Sequence, residues 1–310
     1  MKLIFFGSDD LAAAHLEAIV SSKHKVLACV TQPDKAQGRG LKVQPPAVKL
    51  KAQAHDIPVL QPADMKDDGF IKKLKAFGGD IFVVVAYGHF LPQKVLGIPP
   101  RGAINMHPSL LPKYRGAAPI NWAIINGETM TGVTIINVSA QMDAGDILMQ
   151  EKLVIEADDT AVTLREKLTA LGARCLCCVL GQIEDNKQKP RPQDGAQATL
   201  APKLTKDTGR IDWTKGAKTI RDLVRGLLPW PAAYTAYQGK TVKILDAQVL
   251  PGDTGGAKPG TVLGVDGQGI RVATGRGVLL LRRVHPESAK AMDAQSFAAG
   301  HRLSPGGHFG

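Results

Sequence analysis

The amino-acid sequence predicts an α/β fold class, with a mainly parallel sheet domain first and a small β-barrel domain after it. Three observations support this prediction. In the first half of the chain, short apolar runs alternate with stretches of helical periodicity, as in domains with parallel strands and crossover helices. The run Ile81–Ala86 is wholly apolar, which is typical of a central strand covered on both faces. After Glu184, short strand-like runs are broken by glycines, a pattern typical of small barrels.

The first domain is expected to begin with a strand at residues 2–7. A helix should follow at Leu11–Val20, where apolar side chains recur on one face. The last helix of this domain is expected from about Thr160 to Ile183, because leucines recur there at helical spacing. Further strands are predicted at Val26–Thr31, Ile81–Ala86, Gly102–Met106 and Gly132–Val138.

A polar segment separates the two predicted domains. Residues 185–203 contain three prolines and no apolar periodicity, which indicates a linker. A chain of 310 residues also exceeds the usual size of one hydrophobic core. We therefore predict a chemistry-bearing domain at residues 1–189, a linker at 190–206 and a β-barrel domain at 207–310. The barrel domain should contain one amphipathic helix at about Lys215–Leu227 and strands at Ala233–Tyr237, Val242–Val249, Gly260–Val265, Ile270–Ala273 and Val278–Arg282.

The chain carries a strong positive charge. It has 39 Lys and Arg against 28 Asp and Glu, a net charge of +11, which favours polyanionic partners. Leu204–Gly310 holds 15 basic and 8 acidic residues, so the last third is the more basic part. A protein that merely has a high isoelectric point is the plainer alternative. The four cysteines, and the lack of an apolar run near the ~20 residues of a membrane span, predict a cytoplasmic protein with no membrane partner. A monomer is expected, although no feature of the sequence gives the oligomeric state.

Two polar residues at the end of one predicted strand are the first candidates for chemistry. Strand side chains alternate, so Asn105 and His107 share one face while Ile104 and Met106 take the other. Pro108 keeps His107 in an extended conformation. Ligands of open parallel sheets bind beyond the carboxyl ends of the strands, where this pair is expected. An amide and an imidazole suit a developing oxyanion, because one donates a fixed hydrogen bond and the other transfers protons near neutral pH.

An acidic residue follows the next predicted strand. Asp143 comes after Gly132–Val138 and is expected at the same end of the sheet as His107. A carboxylate beside an imidazole orients the ring and stabilises its charged form. A lone histidine or aspartate is more simply a strand-end or turn residue. The combination of N-x-H-P with M-D-A-G-D instead favours a catalytic set of Asn105, His107 and Asp143.

Three motifs in the first domain resemble a known family. They are INMHPSLLPKYRGAAPI (Ile104–Ile120), MDAGDI (Met142–Ile147) and VVVAYGHFLP (Val83–Pro92). On these residues the chain is similar to the 10-formyltetrahydrofolate-dependent formyltransferases. The resemblance implies a Rossmann-like catalytic domain, 10-formyltetrahydrofolate as the co-substrate, and catalytic roles for Asn105, His107 and Asp143. It also implies that folate is bound by Ser109, Leu110, Leu111 and Pro112 and by Ala86, Tyr87 and Leu91.

These motifs alone leave open whether the formyl acceptor is a purine-pathway ribonucleotide, a nucleotide sugar or a charged tRNA. Thr31–Lys49 resembles the loop that the family members acting on methionyl-tRNA insert after the second strand. Between Asp34 and Lys49 it carries four cations and one anion, although a solvated charged loop is the plainer interpretation. The resemblance implies contacts with initiator methionyl-tRNA through Arg39 first, and through Lys35 and Lys42.

The last third of the chain resembles the same family members. The motifs are IDW (Ile211–Trp213) and LPWP (Leu228–Pro231). They imply an OB-type β-barrel that binds the phosphate backbone of tRNA and so supports translation initiation. We expect Trp213 and Trp230 to be core anchors rather than platforms for base stacking. The candidate tRNA contacts in this domain are Lys206, Arg221 and Lys243.

Two rival functions differ from this prediction. One is a formyltransferase acting on a sugar nucleotide, and the other is a non-catalytic RNA-binding protein with a folate-type fold. The first loop of the chain, Gly7–Leu11, has no G-x-G-x-x-G pattern, so no nicotinamide cofactor is expected. The cysteines at 175, 177 and 178 lack a second matched pair, so no metal is expected either.

Overall fold

The computed structural model describes residues 1–37 and 42–310 of the chain. These residues form two compact units, each assembled from three segments. The first unit comprises Met1–Pro119, Met130–Val154 and Arg165–Ala201, and the second comprises Ile120–Thr129, Ile155–Leu164 and Pro202–Gly310.

The elements that precede Pro202 are the following, in chain order. They are β1 (Lys2–Phe6), α1 (Asp10–Val20), β2 (Lys25–Val30), β3 (Lys35–Gln37), β4 (Lys42–Gln44), α2 (Ala47–Ala54), β5 (Val59–Leu60), α3 (Asp68–Ala76), β6 (Ile81–Val84), α4 (Gln93–Leu96), β7 (Ala103–His107), β8 (Arg115–Gly116), α5 (Pro119–Ile125), β9 (Met130–Asn137), β10 (Ile147–Val154), α6 (Ala161–Glu184) and β11 (Leu200–Ala201). The elements after Pro202 are α7 (Ala217–Gly226), β12 (Ala233–Tyr237), β13 (Lys240–Leu250), β14 (Val262–Asp266), β15 (Gly269–Ala273), β16 (Val278–Pro286), β17 (Met292–Asp293) and α8 (Ala294–Gly300).

The first unit is built on a seven-stranded sheet in the order β10-β9-β7-β6-β1-β2-β5. The five strands from β7 to β5 in that order are parallel, which confirms the mainly parallel sheet predicted from the sequence. Leu3–Phe6 of β1 and Ile81–Val83 of β6 are fully buried, because helices cover both faces of the sheet centre. Phe70 and Leu74 of α3, for example, pack in one cluster with side chains of β1 and β6.

The strand β9 runs against the direction of β7. Ile104 of β7 pairs with Asn137 of β9, and His107 pairs with Thr134. The carboxyl end of β9 therefore lies beside the beginning of β7, at the far end from His107. The expectation that Asp143 follows a strand ending beside His107 was wrong in this respect, because the sequence pattern gives no strand direction.

Helix boundaries in the first unit follow local signals. The side chain of Asp9 accepts a hydrogen bond from the Ala12 amide and so caps the start of α1. Helix α6, expected from about Thr160 to Ile183, extends from Ala161 to Glu184. Among the residues that the structure describes, no helix combines the length and the apolar character that crossing a bilayer requires.

The segment before the second unit is attached to the first one. Arg191 exchanges two backbone hydrogen bonds with Ile147 at the start of β10, with N–O distances of 2.8 and 2.9 Å. Further along, β11 pairs with β8 in parallel, with Leu200 opposite Arg115. Residues 190–201 of the predicted linker therefore add backbone pairing to the first unit.

The second unit contains an antiparallel sheet in the order β12-β13-β16-β15-β14, with β17 beside β16. This arrangement is consistent with the small β-barrel predicted from the sequence. Its core includes Ile220 of α7 and Phe297 of α8, both almost fully buried. The predicted strands at 242–249 and 278–282 extend in the structure to Lys240–Leu250 and Val278–Pro286.

The two expected tryptophan anchors differ. Trp213 is buried, stacks on Phe309 at a centroid distance of 6.0 Å, and donates a hydrogen bond from Nε1 to Thr235 Oγ1 at 3.0 Å. Trp230 is 52% exposed, so its predicted role in the core was wrong. It lies in the turn between α7 and β12, where the buried Pro231 takes the inward position next to it.

Candidate active site

His107 occupies the last position of β7 and is only 4% exposed. Its Nε2 lies 2.9 Å from the backbone oxygen of Tyr114. Because a carbonyl oxygen only accepts hydrogen bonds, Nε2 carries a proton. Its Nδ1 lies 3.6 Å from Oδ2 of Asp143. Nδ1 is therefore the ring nitrogen that faces the carboxylate.

Asp143 reaches this position through a loop that folds back over the sheet. The loop, residues 138–146, leaves β9 at the level of Ile104, yet its carboxylate meets His107. The backbone amide of Gly116 donates a hydrogen bond to Asp143 Oδ2 at 2.9 Å and fixes the carboxylate. Asp143 itself has a φ of +50°, a left-handed conformation that aspartate tolerates better than most residues.

Gly145 allows the loop to fold so tightly. A Cβ atom at this position would lie 1.8 Å from the backbone oxygen of Asn137, so any side chain forces the loop away from β9. We expect Gly145→Ala to lower kcat about 10- to 100-fold, because a catalytic group displaced by about 1 Å loses that much rate. The measurement is steady-state kinetics with thermal unfolding. The matched control is Gly181→Ala in α6, where a Cβ meets nothing within 4 Å. Equal kcat values for the two variants would contradict the prediction.

Asn105 lies two residues before His107 on β7 and is half-buried. Its neighbour on the parallel strand β6 is Val84, and its neighbour on β9 is Ile136. The side-chain amide makes no hydrogen bond with any residue that the structure describes. It is therefore available as a donor to a bound molecule, on the same face of β7 as the imidazole.

The predicted folate string Ser109–Pro112 follows β7 directly. Ser109 is fully buried and donates from Oγ to the Lys113 carbonyl at 2.7 Å, so its hydroxyl is already used within the chain. Leu111 is buried as well, while Leu110 and Pro112 are half-buried and keep side-chain surface for a ligand. The four predicted residues are thus contiguous, but only two of them present side chains.

Two residues that the sequence analysis missed hold this string in place. Thr134 of β9 is fully buried, and its Oγ1 donates to the Ser109 carbonyl at 2.6 Å while it accepts from the Leu111 amide at 3.1 Å. Gln150 of β10 donates from Nε2 to the Leu111 carbonyl at 2.8 Å. The antiparallel strands thereby fix the backbone of the string. No motif signals these contacts, because the two residues act on backbone atoms of a distant segment.

The second predicted folate segment follows β6, parallel to β7 and therefore at the same end of the sheet as His107. Ala86 is exposed and has a φ of +43°. Tyr87 and Leu91 belong instead to the hydrophobic core. The hydroxyl of Tyr87 contacts Met65 Sδ at 3.0 Å, and burial raises the pKa of Tyr87 to about 12. These two side chains support the segment from behind.

The candidate tRNA contacts are found in different settings. Lys35 is exposed and donates from Nζ to Gln32 Oε1 at 2.7 Å. Arg39 and the side chain of Lys42 lie outside the part of the chain that the structure describes. In the second unit, Lys206 is exposed, Lys243 is half-buried, and Arg221 pairs with Asp158 at 3.0 Å. Within the described ranges 1–37 and 42–310, no group of three or more His, Cys, Asp or Glu side chains could hold a metal ion.

Comparison with protein families gives two matches that follow each other along the chain. The family described as formyl transferase matches residues 1–180. The family described as formyl transferase, C-terminal domain, matches residues 203–302.

One relative and two solved structures are similar to the chain over most of its length. The methionyl-tRNA formyltransferase of Acetivibrio thermocellus is 44% identical over 306 residues, which cover 99% of this chain and 98% of the relative. The N-formyltransferase from Helicobacter canadensis, in complex with folinic acid and dTDP-3-aminofucose, is 18% identical with a TM-score of 0.69, over 94% of this chain and 100% of that one. HypX from Aquifex aeolicus, in complex with tetrahydrofolic acid, is 19% identical with a TM-score of 0.66 over 96% of this chain. The chain spans about half (47%) of HypX. The two structures share the fold.

Proposed function

This chain belongs to the methionyl-tRNA formyltransferase family, and we propose that it transfers the formyl group of 10-formyltetrahydrofolate to the free amino group of initiator methionyl-tRNA, in support of translation initiation. The observation that carries the proposal is the contact of His107 with Asp143, on the face of β7 that also holds Asn105. A non-catalytic RNA-binding protein has no need of an imidazole and a carboxylate paired at a strand end.

The reaction exchanges one carbon–nitrogen bond for another. The methionyl amine, in its neutral form, attacks the formyl carbon, and the bond from that carbon to N10 of the folate breaks. Negative charge develops on the formyl oxygen. The Asn105 amide and the Nδ1 proton of His107 donate hydrogen bonds to this oxygen in our proposal. Each such donor typically contributes about 3 kcal/mol, or roughly 10² to 10³ in rate.

Proton transfer completes the exchange. The amine loses one proton and N10 gains one, so the products are formylmethionyl-tRNA and tetrahydrofolate. Asp143 stabilises the positive charge on His107 and passes the proton to N10, in our proposal through a water molecule. The Nε2 proton of His107 takes no part, because it is held by the Tyr114 carbonyl.

The residues at the carboxyl end of the sheet fit a folate. Leu110 and Pro112 offer half-buried apolar surface, and Ala86 is exposed just after the neighbouring strand β6. A flat heterocycle with polar edges binds well to apolar surface beside backbone groups. We propose that these residues contact the folate, and that Ser109, Leu111, Tyr87 and Leu91 shape its site from behind.

The tRNA would be held by charge. We propose phosphate contacts for Arg39, Lys35 and Lys42 in the first domain, and for Lys206, Arg221 and Lys243 in the barrel domain. The domain boundaries we propose are 1–189, 190–206 and 207–310. We also propose a cytoplasmic monomer with no membrane partner.

One formylation assay tests the function. The purified protein is given 10-formyltetrahydrofolate and, in separate reactions, methionyl-tRNA, uncharged tRNA and an amino-sugar nucleotide. We expect formyl transfer to methionyl-tRNA alone. Transfer to the sugar nucleotide, or to none of the three, would reject the proposal.

Arg39→Ala is expected to weaken the use of tRNA and to spare the folate. One lost phosphate contact should raise KM for methionyl-tRNA, leave KM for the folate unchanged, and reduce the slope of log affinity against log salt by about 1. Initial rates at several salt concentrations measure all three quantities. The control is Lys72→Ala, which removes an exposed cation from α3. A folate defect alone would contradict the assignment.

A further inference from the structure

The side chain of Gln193 lies between the backbone of the Asp143 loop and the guanidinium of Arg115. Its Nε2 donates to the carbonyl oxygens of Asp143 at 2.8 Å and Gly145 at 2.7 Å. Its Oε1 accepts from Arg115 Nη2 at 2.7 Å and Nε at 3.2 Å. Both amide protons and the amide oxygen are therefore engaged by two segments that are distant in sequence.

The second of these segments also holds the carboxylate. Arg115 and Gly116 form β8, and the Gly116 amide donates to Asp143 Oδ2. The strand β8 is fixed in turn by β11, because Arg115 donates to the Thr199 carbonyl at 2.8 Å and Ala117 donates to the Ala201 carbonyl at 2.9 Å. The stretch Arg191–Ala201 thus supports both the backbone of Asp143 and the amide that binds its side chain.

Only an amide has the polarity that this position requires. Two carbonyl oxygens need donors on one side, and a guanidinium needs an acceptor on the other. A glutamate at this position would keep the Arg115 contact but would set its own oxygen against the two carbonyls. A methionine would fill similar space and make neither set of hydrogen bonds.

We propose that Gln193 is a positioning residue that fixes the Asp143 carboxylate beside Nδ1 of His107. The inference rests on the proposed function, since it concerns the carboxylate of that reaction. The contact between Asp143 and His107 spans 3.6 Å with no direct hydrogen bond, so it depends on the placement of the loop. Loss of the Gln193 hydrogen bonds lets the loop move, so the Asp143 carboxylate stabilises the positive charge on the His107 imidazole less strongly.

The test compares Gln193→Met and Gln193→Glu with Gln197→Met. Gln197 belongs to the same stretch and is exposed, and within the described part of the chain its side chain bonds only to Asp194, at 2.8 Å, so it is the matched control. We expect both Gln193 variants to lower kcat about 10- to 100-fold, the usual cost of removing a residue that orients a reacting group, with both KM values within about twofold of wild type. Gln193→Glu retains the Arg115 contact, so it still tests the proposal if Gln193→Met fails to fold.

A double-variant cycle separates positioning from general weakening of the structure. Single-turnover rates are measured for Gln193→Met, Asp143→Asn and the combination. If Gln193 acts through the carboxylate, adding Gln193→Met to Asp143→Asn causes no further loss. A multiplicative loss, or Gln193 variants with the kcat of Gln197→Met, overturns the positioning role. Absence of formyl transfer in the wild type and in Gln197→Met would instead reject the proposed function.

Discussion

Replacing His107 with glutamine is expected to lower kcat for formyl transfer about 10²- to 10³-fold, the usual effect of removing one donor to a developing oxyanion. The imidazole donates from two separate ring nitrogens that point in different directions, whereas a glutamine has a single amide nitrogen, which cannot reach both the Tyr114 carbonyl and the formyl oxygen. It also carries no charge beside Asp143. KM for both substrates should change little, because the lost interaction forms only in the transition state. Steady-state kinetics with both substrates varied in turn measures kcat and each KM.

The control for this variant is His55→Gln. His55 lies just after α2, and its imidazole hydrogen-bonds only to Glu17, at 3.0 Å, among the described residues. Thermal unfolding of both variants should show that the fold is kept. A His107→Gln enzyme that turns over at the wild-type rate would remove the imidazole from the mechanism.

Asp143→Asn is expected to lower kcat about 10²- to 10⁴-fold, the range typical of a group that acts in proton transfer. The asparagine oxygen still accepts the Gly116 amide, so the loop keeps its anchor while the negative charge beside Nδ1 is lost. The comparison is with Asp146→Asn, an exposed carboxylate in the same loop, which we expect to be as active as wild type. A rise in KM with kcat intact would show that Asp143 binds substrate and does not assist the chemistry.

The parallel centre of the sheet could be predicted because burial on both faces leaves a mark in the sequence. The run around Ile81–Val83 has no polar residue, and the structure buries it completely. Asn105 and His107 were predicted on one face from strand alternation, and β7 does extend to His107. In both cases a local pattern of two or a few residues carries the information.

The direction of one strand relative to its neighbour is not set by a local sequence pattern, and the prediction that β9 ends beside His107 was wrong. The contact between Asp143 and His107 was expected from two strands ending together, whereas β9 ends at the opposite side from His107. Folding back of the loop depends on the room that Gly145 leaves beside Asn137. Three further residues could not be predicted for a related reason, namely Thr134, Gln150 and Gln193. Each bonds to backbone oxygens of a remote segment, and such contacts require no residue pattern at either partner.

The carboxylate that the imidazole requires is carried by the hairpin at the outer margin of the sheet. Strand β10 is the last strand on that side, and Asp143 lies in the turn that joins it to β9. Beyond Ile147, which pairs with Arg191, the outer backbone groups of β10 face no further strand among the residues that the structure describes, and edge strands of this kind open locally more readily than central ones. Mild heat or denaturant should therefore abolish formyl transfer while the central strands β1 and β6 are still folded. Loss of activity and global unfolding are then two separate transitions in this protein.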